Sequence, residues 1–238
     1  MSSAAAFDVT IVILAFNEEA ALASTVDDVA ATVARLGWNA EILIIDDGSR
    51  DRTPEIADDL AMTVAGVRAI HHPVNQGLGE VYATAFREAG GNWLFFVPGD
   101  NEFPPAILEL FAPHMAESDL ILGYLEAGIR TPASRLLSWG ERLLYRLLFG
   151  PMPKFQGMFG FRRALVEALP LVTLGGRGWG VIMEIIVRTP RHGFRTTSVL
   201  TPGRRRQGDV SRVNSLSSVL ANLRQVLRLW QAMRRGRR

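Results

Sequence analysis

What most constrains the fold of this chain is a rhythm: short runs of β-branched, aliphatic and aromatic residues recur through its first half, each followed by a stretch of helical length. The runs are Val9–Phe16, Glu41–Ile45, Val67–His71, Trp93–Val97 and Leu120–Tyr124, and their near-continuous apolar character is that of strands buried on both faces. Between them lie Glu18–Leu36, Thr53–Ala61, Gly79–Ala89 and Pro104–Met115, with helix-start signals such as Thr53 as N-cap before Pro54. Repeated β-α units predict an α/β fold with a doubly wound, mostly parallel sheet flanked by helices. With 238 residues, 48% of them hydrophobic, the chain has enough apolar material for one such domain, expected over residues 1–212, with a basic amphipathic helix appended over 213–238. No internal repeat or low-complexity linker interrupts it, although the alternation becomes irregular after Gly128.

Open sheets of this kind bind ligands beyond the carboxyl ends of their strands, so the loops opening at Asn17, Asp46, His72 and Pro98 are expected to share one rim. The first strand runs through Ala15 into Phe16-Asn17-Glu18, placing a ring and a carboxylate where a base and ribose could stack and hydrogen-bond; Asn17 equally suits a helix cap. The second ends in Asp46-Asp47-Gly48-Ser49, where one acid could cap a loop and two suggest ligand contact. The third is followed by Asn75-Gln76-Gly77-Leu78-Gly79, a turn into a helix whose free N–H groups suit phosphate. A dinucleotide-binding reading fails there, because the third glycine is missing and the turn does not follow its strand immediately; a plain strand-to-helix connection fits the segment alone equally well. The fourth opens into Pro98-Gly99-Asp100-Asn101-Glu102, two carboxylates two residues apart that can grip one Mg2+ or Mn2+ ion whose remaining ligands come from a diphosphate.

Together the four segments resemble glycosyltransferase family 2, most closely its dolichyl-phosphate mannose synthase-like branch of polyprenyl-phosphate glycosyltransferases. The family's Pro-Ala-Tyr-Asn-Glu is similar to Leu14-Ala15-Phe16-Asn17-Glu18, and its Asp-Asp-Gly-Ser-x-Asp-x-Thr to Asp46-Asp47-Gly48-Ser49-Arg50-Asp51-Arg52-Thr53. Its Asn-x-Gly-x-Gly turn matches Asn75, Gly77 and Gly79. The resemblance implies a GT-A-type fold and inverting transfer from a nucleotide-diphosphate sugar to a polyprenyl phosphate, assisted by divalent metal. It assigns donor binding to Ala15, Phe16, Glu18, Asp46, Asp47, Asn75 and Gly77, and metal binding to Asp100 and Glu102. The chain departs from the family where the first metal-loop acid is Pro98 and the usual glutamine is Glu102, so Glu102 is expected to restore the lost charge. Further on, Ser138 lies in a segment resembling the helix after the catalytic core, with Arg130 or Arg135 expected to replace an acceptor-binding arginine where Ser134 stands. Glu184 resembles an acid on a later helix. Arg204-Arg205-Arg206-Gln207-Gly208-Asp209-Val210-Ser211 resembles a phosphate-clamping loop, giving Arg204 and Ser211 acceptor-phosphate roles and Arg206 a catalytic one.

Charge and pattern bear on the partners. From Pro202 onward there are ten arginines against one aspartate, so the rest of the chain is net acidic. Such a tail suits lipid phosphate, diphosphate or nucleic acid. Nucleic acid ranks last and is not expected as a partner, because the tail lacks interleaved aromatics and the acidic rim would repel a polyanion without a metal. Two basic amphipathic stretches, Leu136–Phe149 and Leu216–Arg235, predict peripheral membrane contact, with a membrane partner protein as a candidate to share it; packing on the domain is the commoner fate of such helices. The absence of cysteine removes disulfides, Cys-ligated zinc and thiol nucleophiles and fits a cytoplasmic setting, as does an N-terminus without a signal peptide's basic start and apolar run. A phosphate acceptor needs no general base, since it is already anionic, so orientation and charge neutralisation suffice. The alternatives left by the sequence are a family 2 enzyme with a soluble or saccharide acceptor and a non-catalytic nucleotide-sugar-binding protein.

Overall fold

The structure, a computed structural model, describes residues 7–125, 140, 143–171, 180–202, 226–231 and 234. Seven strands form one sheet in the order β3-β2-β1-β4-β6-β5-β7. They are β1 (Phe7–Ala15), β2 (Ala40–Asp46), β3 (Val67–His71), β4 (Gly91–Pro98), β5 (Leu120–Leu125), β6 (Phe159–Arg162) and β7 (Thr196–Thr201). β6 runs antiparallel to its neighbours β4 and β5; every other pairing is parallel. The five expected strands are all present and point the same way, each within two residues of its expected ends. The helices are α1 (Leu22–Leu36), α2 (Thr53–Thr63), α3 (Leu78–Glu88), α4 (Ile107–Phe111), α5 (Arg163–Ala168) and α6 (Gly180–Arg188), and residues 143–149 are also helical.

The period of two along each central strand divides the core into two layers. Ile11 and Ile13 of β1, Ile42 and Ile44 of β2, and Phe95 and Val97 of β4 face α1, α2 and α4. Val12, Leu43, Ile45, Leu94 and Phe96 face the opposite way, onto α3, α5 and α6. Covering on both faces is why these strands read as unbroken apolar runs. At the amino end of the sheet, buried Glu41 ties strands together: Oε1 accepts from Arg68 of β3, and Oε2 accepts from the Thr10 hydroxyl of β1 and the Gly90 amide preceding β4. A third, smaller cluster joins Phe149, Val187, Val226 and Leu229.

Three helix boundaries differ from expectation for physical reasons. α1 begins at Leu22, not Glu18: residues 19–21 form a turn, and the amides of Glu18 and Glu19 donate to Thr53 Oγ1 and Asp51 Oδ2 across the rim. Thr53 is not the cap of α2 but its first residue, its hydroxyl being taken by Glu18. The helix expected over Pro104–Met115 is α4 followed by a 3-10 turn at Ala112–His114, where Pro113 cannot donate to an α-helical ladder. No described helix is long and apolar enough to cross a membrane.

Candidate active site

The carboxyl ends of β1, β2, β3 and β4 bring four sequence-distant loops to one rim, and hydrogen bonds between them show how. Asp47 N–H donates to Ala15 O at 2.9 Å and Gly99 N–H to Leu14 O at 2.8 Å, so the β2 and β4 loops are stitched to the end of β1. The β1 loop is also laced to the segment entering α2. Asn17 N–H donates to Ser49 Oγ at 2.8 Å, Arg50 N–H to Asn17 Oδ1 at 2.9 Å, Glu18 N–H to Thr53 Oγ1 at 2.8 Å, and Arg52 N–H to Glu19 Oε2 at 3.1 Å. Asp51 closes the set by accepting from the amides of Glu19 and Thr53. Burial pushes the Asp51 carboxyl up, but the hydrogen bonds from Thr53 and Glu19 outweigh it and hold the group below the ordinary carboxylate range. Ser49, Asp51 and Thr53 therefore shape the rim by binding backbone.

The two acids after β2 are both buried, at 1% and 5% exposure, and both are engaged by the protein. Asp46, the last residue of β2, accepts from the amide and hydroxyl of Ser49 through Oδ1, and its Oδ2 lies 3.1 Å from Nδ1 of His71. Asp47 Oδ1 faces Nδ1 of His72 at 2.8 Å and the Gln76 amide at 2.9 Å, while Oδ2 accepts from the Gly77 amide at 2.8 Å. Asp47 thus holds the Asn75–Gly77 turn at the amino end of α3. Gly48, at φ 69°, lies so close beneath that turn that an added Cβ would sit 2.4 Å from the carbonyl carbon of Val74. Phe16 lies on the same rim, 37% exposed.

The two histidines are site features that the sequence left as strand-end residues. His71 bridges Asp46 and, through Nε2 at 3.2 Å, Asp58 of α2. Burial alone would lower its pKa, but the two carboxylates prevail and raise it above the ordinary value. His72 is buried and spans from Asp47 to Thr84 of α3. The only signal of either role in the sequence was a pair of adjacent histidines ending a strand opposite a pair of adjacent acids, and strand register alone turns that into contact: Asp46 is paired with His71.

The β4 loop carries Asp100 and Glu102 half-buried, with Asp100 Oδ1 accepting the Glu102 amide at 3.0 Å and Asn101 between them at φ 56°. Pro98 ends β4 beside Leu14, and Glu18 Cγ lies 3.7 Å from where a Cβ on Gly99 would stand, so the β1 loop adjoins this segment. Two oxygen donors on adjoining rim positions fit a hard cation that takes its remaining ligands from a diphosphate. Among the described residues no group of three or more acids or histidines gathers to hold a metal by itself. Glu184 is buried on α6, 2.7 Å from Arg188 Nε. Arg130, Arg135, Ser138, Arg204, Arg206 and Ser211 lie outside the described residues.

The sequence profile described as Glycosyl transferase family 2 matches residues 10–170, more than half the chain and all four rim loops. The chain belongs to glycosyltransferase family 2. Among its similar family 2 relatives, an undecaprenyl-phosphate mannosyltransferase of Micrococcus luteus is 27% identical over 170 residues, covering 67% of this chain and 70% of that protein. A dolichol-phosphate mannosyltransferase of Pyrococcus furiosus is 29% identical over 196 residues, covering 76% of this chain but only 52% of the relative's length. Among solved structures, the glucosyl-3-phosphoglycerate synthase of Mycobacterium tuberculosis with Mn2+ and UDP-glucose superposes with a TM-score of 0.69 at 22% identity, over 93% of this chain and 77% of that one. The same enzyme has been solved with Mg2+ and UDP, with a TM-score of 0.66 at 20% identity, over 92% of this chain and 79% of that one. These superpositions establish the GT-A-type fold of this family 2 chain.

Proposed function

We propose that this family 2 glycosyltransferase moves a sugar from a nucleotide-diphosphate sugar to a polyprenyl phosphate at a membrane surface. The observation that carries the reading is the sequence match itself: the two relatives described above are named for transfer to undecaprenyl phosphate and dolichol phosphate, and the match covers the residues that build the rim. Ala15, Phe16, Glu18, Asp46, Asp47, Asn75 and Gly77 form the donor side, the two aspartates acting at least in part through the loops they hold. Asp100 and Glu102 hold Mg2+ or Mn2+, which when bound neutralises the charge of the departing nucleotide. Arg204, Arg206 and Ser211, with Arg130, Arg135 and Ser138, take the acceptor phosphate.

Two structural features support the choice of acceptor. Leu143 and Leu147, four residues apart on one helical face, are 40% and 74% exposed, and Arg146 beside them is exposed as well. Apolar residues flanked by a cation suit a bilayer interface carrying anionic headgroups. Among the described acids beyond the metal loop, Asp119 is engaged by Arg162 and the Arg195 amide, and Glu184 by Arg188. An acceptor that arrives already ionised requires none of them as a base.

The test is nucleotide release from a panel of nucleotide sugars with Mg2+ or Mn2+, with and without a short polyprenyl phosphate. Lipid-dependent release from one donor is the expected result. Release that ignores the lipid but follows a soluble sugar would replace the acceptor, and release with neither would overturn the assignment. In the active system Asp100→Ala is expected to reduce turnover at least about 100-fold with an unchanged fold, and Glu102→Gln to shift the metal dependence to higher concentration. Wild-type rates in both variants would remove the metal assignment.

A further inference from the structure

His72 follows directly on the last residue of β3, and its amide extends the ladder by donating to Asp46 O at 2.9 Å. That backbone bond turns the ring inward, where it is 8% exposed. Nδ1 stands 2.8 Å from Asp47 Oδ1, and because a carboxylate can only accept, the shared hydrogen lies on Nδ1. In the neutral ring Nε2 is then the acceptor, and its partner at 2.9 Å, the Thr84 hydroxyl, is the donor. Thr84 Oγ1 in turn accepts from Arg87 Nη2 at 3.0 Å. Donation therefore runs in one direction, from an exposed guanidinium on α3 through a hydroxyl and an imidazole to a buried carboxylate.

At the far end of this relay Asp47 grips the turn ahead of α3, accepting from the Gln76 amide at 2.9 Å and the Gly77 amide at 2.8 Å. Both amides sit between Asn75 and Leu78, in the segment assigned to the donor. A carboxylate held only by those two amides could still rotate about its own axis and carry the turn with it. The Nδ1 hydrogen removes that freedom, because it fixes Oδ1 against a ring whose backbone is bonded to the end of β2 and whose far nitrogen meets Thr84 of α3.

We propose that His72 is a positioning residue of the donor site, acting through Asp47 to hold the Gln76–Gly77 turn in its binding shape. The inference rests on the donor-binding reading above. It concerns one nitrogen of the ring, which makes it separable from simple packing: an asparagine amide can stand where Nδ1 stands, whereas a glutamine amide reaches toward Nε2 and Thr84.

The experiment uses the full chain and measures binding of UDP and GDP in Mn2+ by calorimetry, donor KM and kcat by nucleotide release, and the melting temperature of each variant. His72→Asn is expected to keep nucleotide affinity within about threefold of wild type, while His72→Gln loses about tenfold, with donor KM rising more than kcat falls. Thr84→Val, which keeps the volume but removes the donor to Nε2, is expected to fall between them and guards against a His72 variant that does not fold. Wild-type affinity in His72→Gln and Thr84→Val overturns the proposal, as does an affinity loss that follows melting temperature regardless of which amide is introduced. Failure of the wild-type chain to bind either nucleotide would instead remove the donor reading, and this inference with it.

Discussion

Tyr82 lies on the inner face of α3 among Phe96, Phe159 and Phe161, facing Val181, Ile182 and Ile185 of α6, and its hydroxyl has no hydrogen-bond partner among the described residues. Complete burial pushes its pKa up, because a phenolate there would have neither water nor a cation to meet. A buried hydroxyl that bonds to nothing costs its lost hydration, so Tyr82→Phe is expected to stabilise the chain by about 1 kcal/mol, raising Tm by about 2–4 °C. A lower Tm in a thermal melt would mean that the hydroxyl does find a partner in solution. Gly48 carries the opposite expectation. Its φ of 69° and the 2.4 Å approach of Val74 leave no room for a side chain. Gly48→Ala therefore costs about 1–3 kcal/mol in backbone strain, and the displaced Asn75–Gly77 turn weakens nucleotide binding further. Denaturant unfolding and calorimetric titration check the two parts separately, and unchanged binding in a destabilised variant would detach the turn from the donor.

Between elements, the rim is held by polar contacts that titrate. His71 joins the end of β3 to β2 through Asp46 and to α2 through Asp58, and its pKa is raised because those contacts favour the protonated ring. In the unfolded chain the group titrates near its ordinary value of about 6.5. The stabilisation from His71 is thus fully present below that value and is lost as pH rises through the higher folded value. Relative to His71→Gln, the wild-type chain is expected to gain least at alkaline pH and most near pH 6; a difference in Tm that is flat from pH 6 to 9 would count against the bridge. Such links also mark the limit of what was legible in the sequence. β1, β2, β4 and β5 could be read because burial leaves a near-unbroken apolar run, and the mostly half-buried edge strand β3 because it falls in the same alternation with helical stretches. β6 has only four residues, with Gly160 among them, and β7 is a threonine-rich edge strand of mostly half-buried positions, so neither rises above its surroundings. The positions of the rim motifs were legible by resemblance, but not what Ser49, Asp51 and Thr53 do there. They bind amides more than thirty residues away in sequence, and that pairing exists only once β1 and β2 are in register.

Across the whole molecule, charge and apolar exposure are arranged unevenly. The rim gathers Glu18, Glu19, Asp46, Asp47, Asp51, Asp100 and Glu102, whereas ten of the arginines follow Pro202. Val226 and Leu229 pack with Phe149 and Val187, so the last described helical turns rest on the domain, as does one face of residues 143–149. Their outer faces differ from the core in kind: Leu143, Leu147 and Leu227 are exposed beside exposed Arg146, Arg228 and Arg234. Exposed leucines gain nothing from water, and arginines beside them gain most from an anionic surface, so on the proposed reading this is the side that meets the bilayer. The double variant Leu143→Ser with Leu147→Ser alters only exposed side chains and is expected to leave Tm within about 2 °C of wild type. It should nevertheless reduce flotation with vesicles containing anionic lipid several-fold, and raised salt should weaken binding of both proteins, since the arginine contribution is screened. If the variant floats as well as wild type, these leucines are not the contact; if neither protein floats at low salt, the acceptor must reach the rim without a bilayer, and a soluble acceptor becomes the reading to pursue.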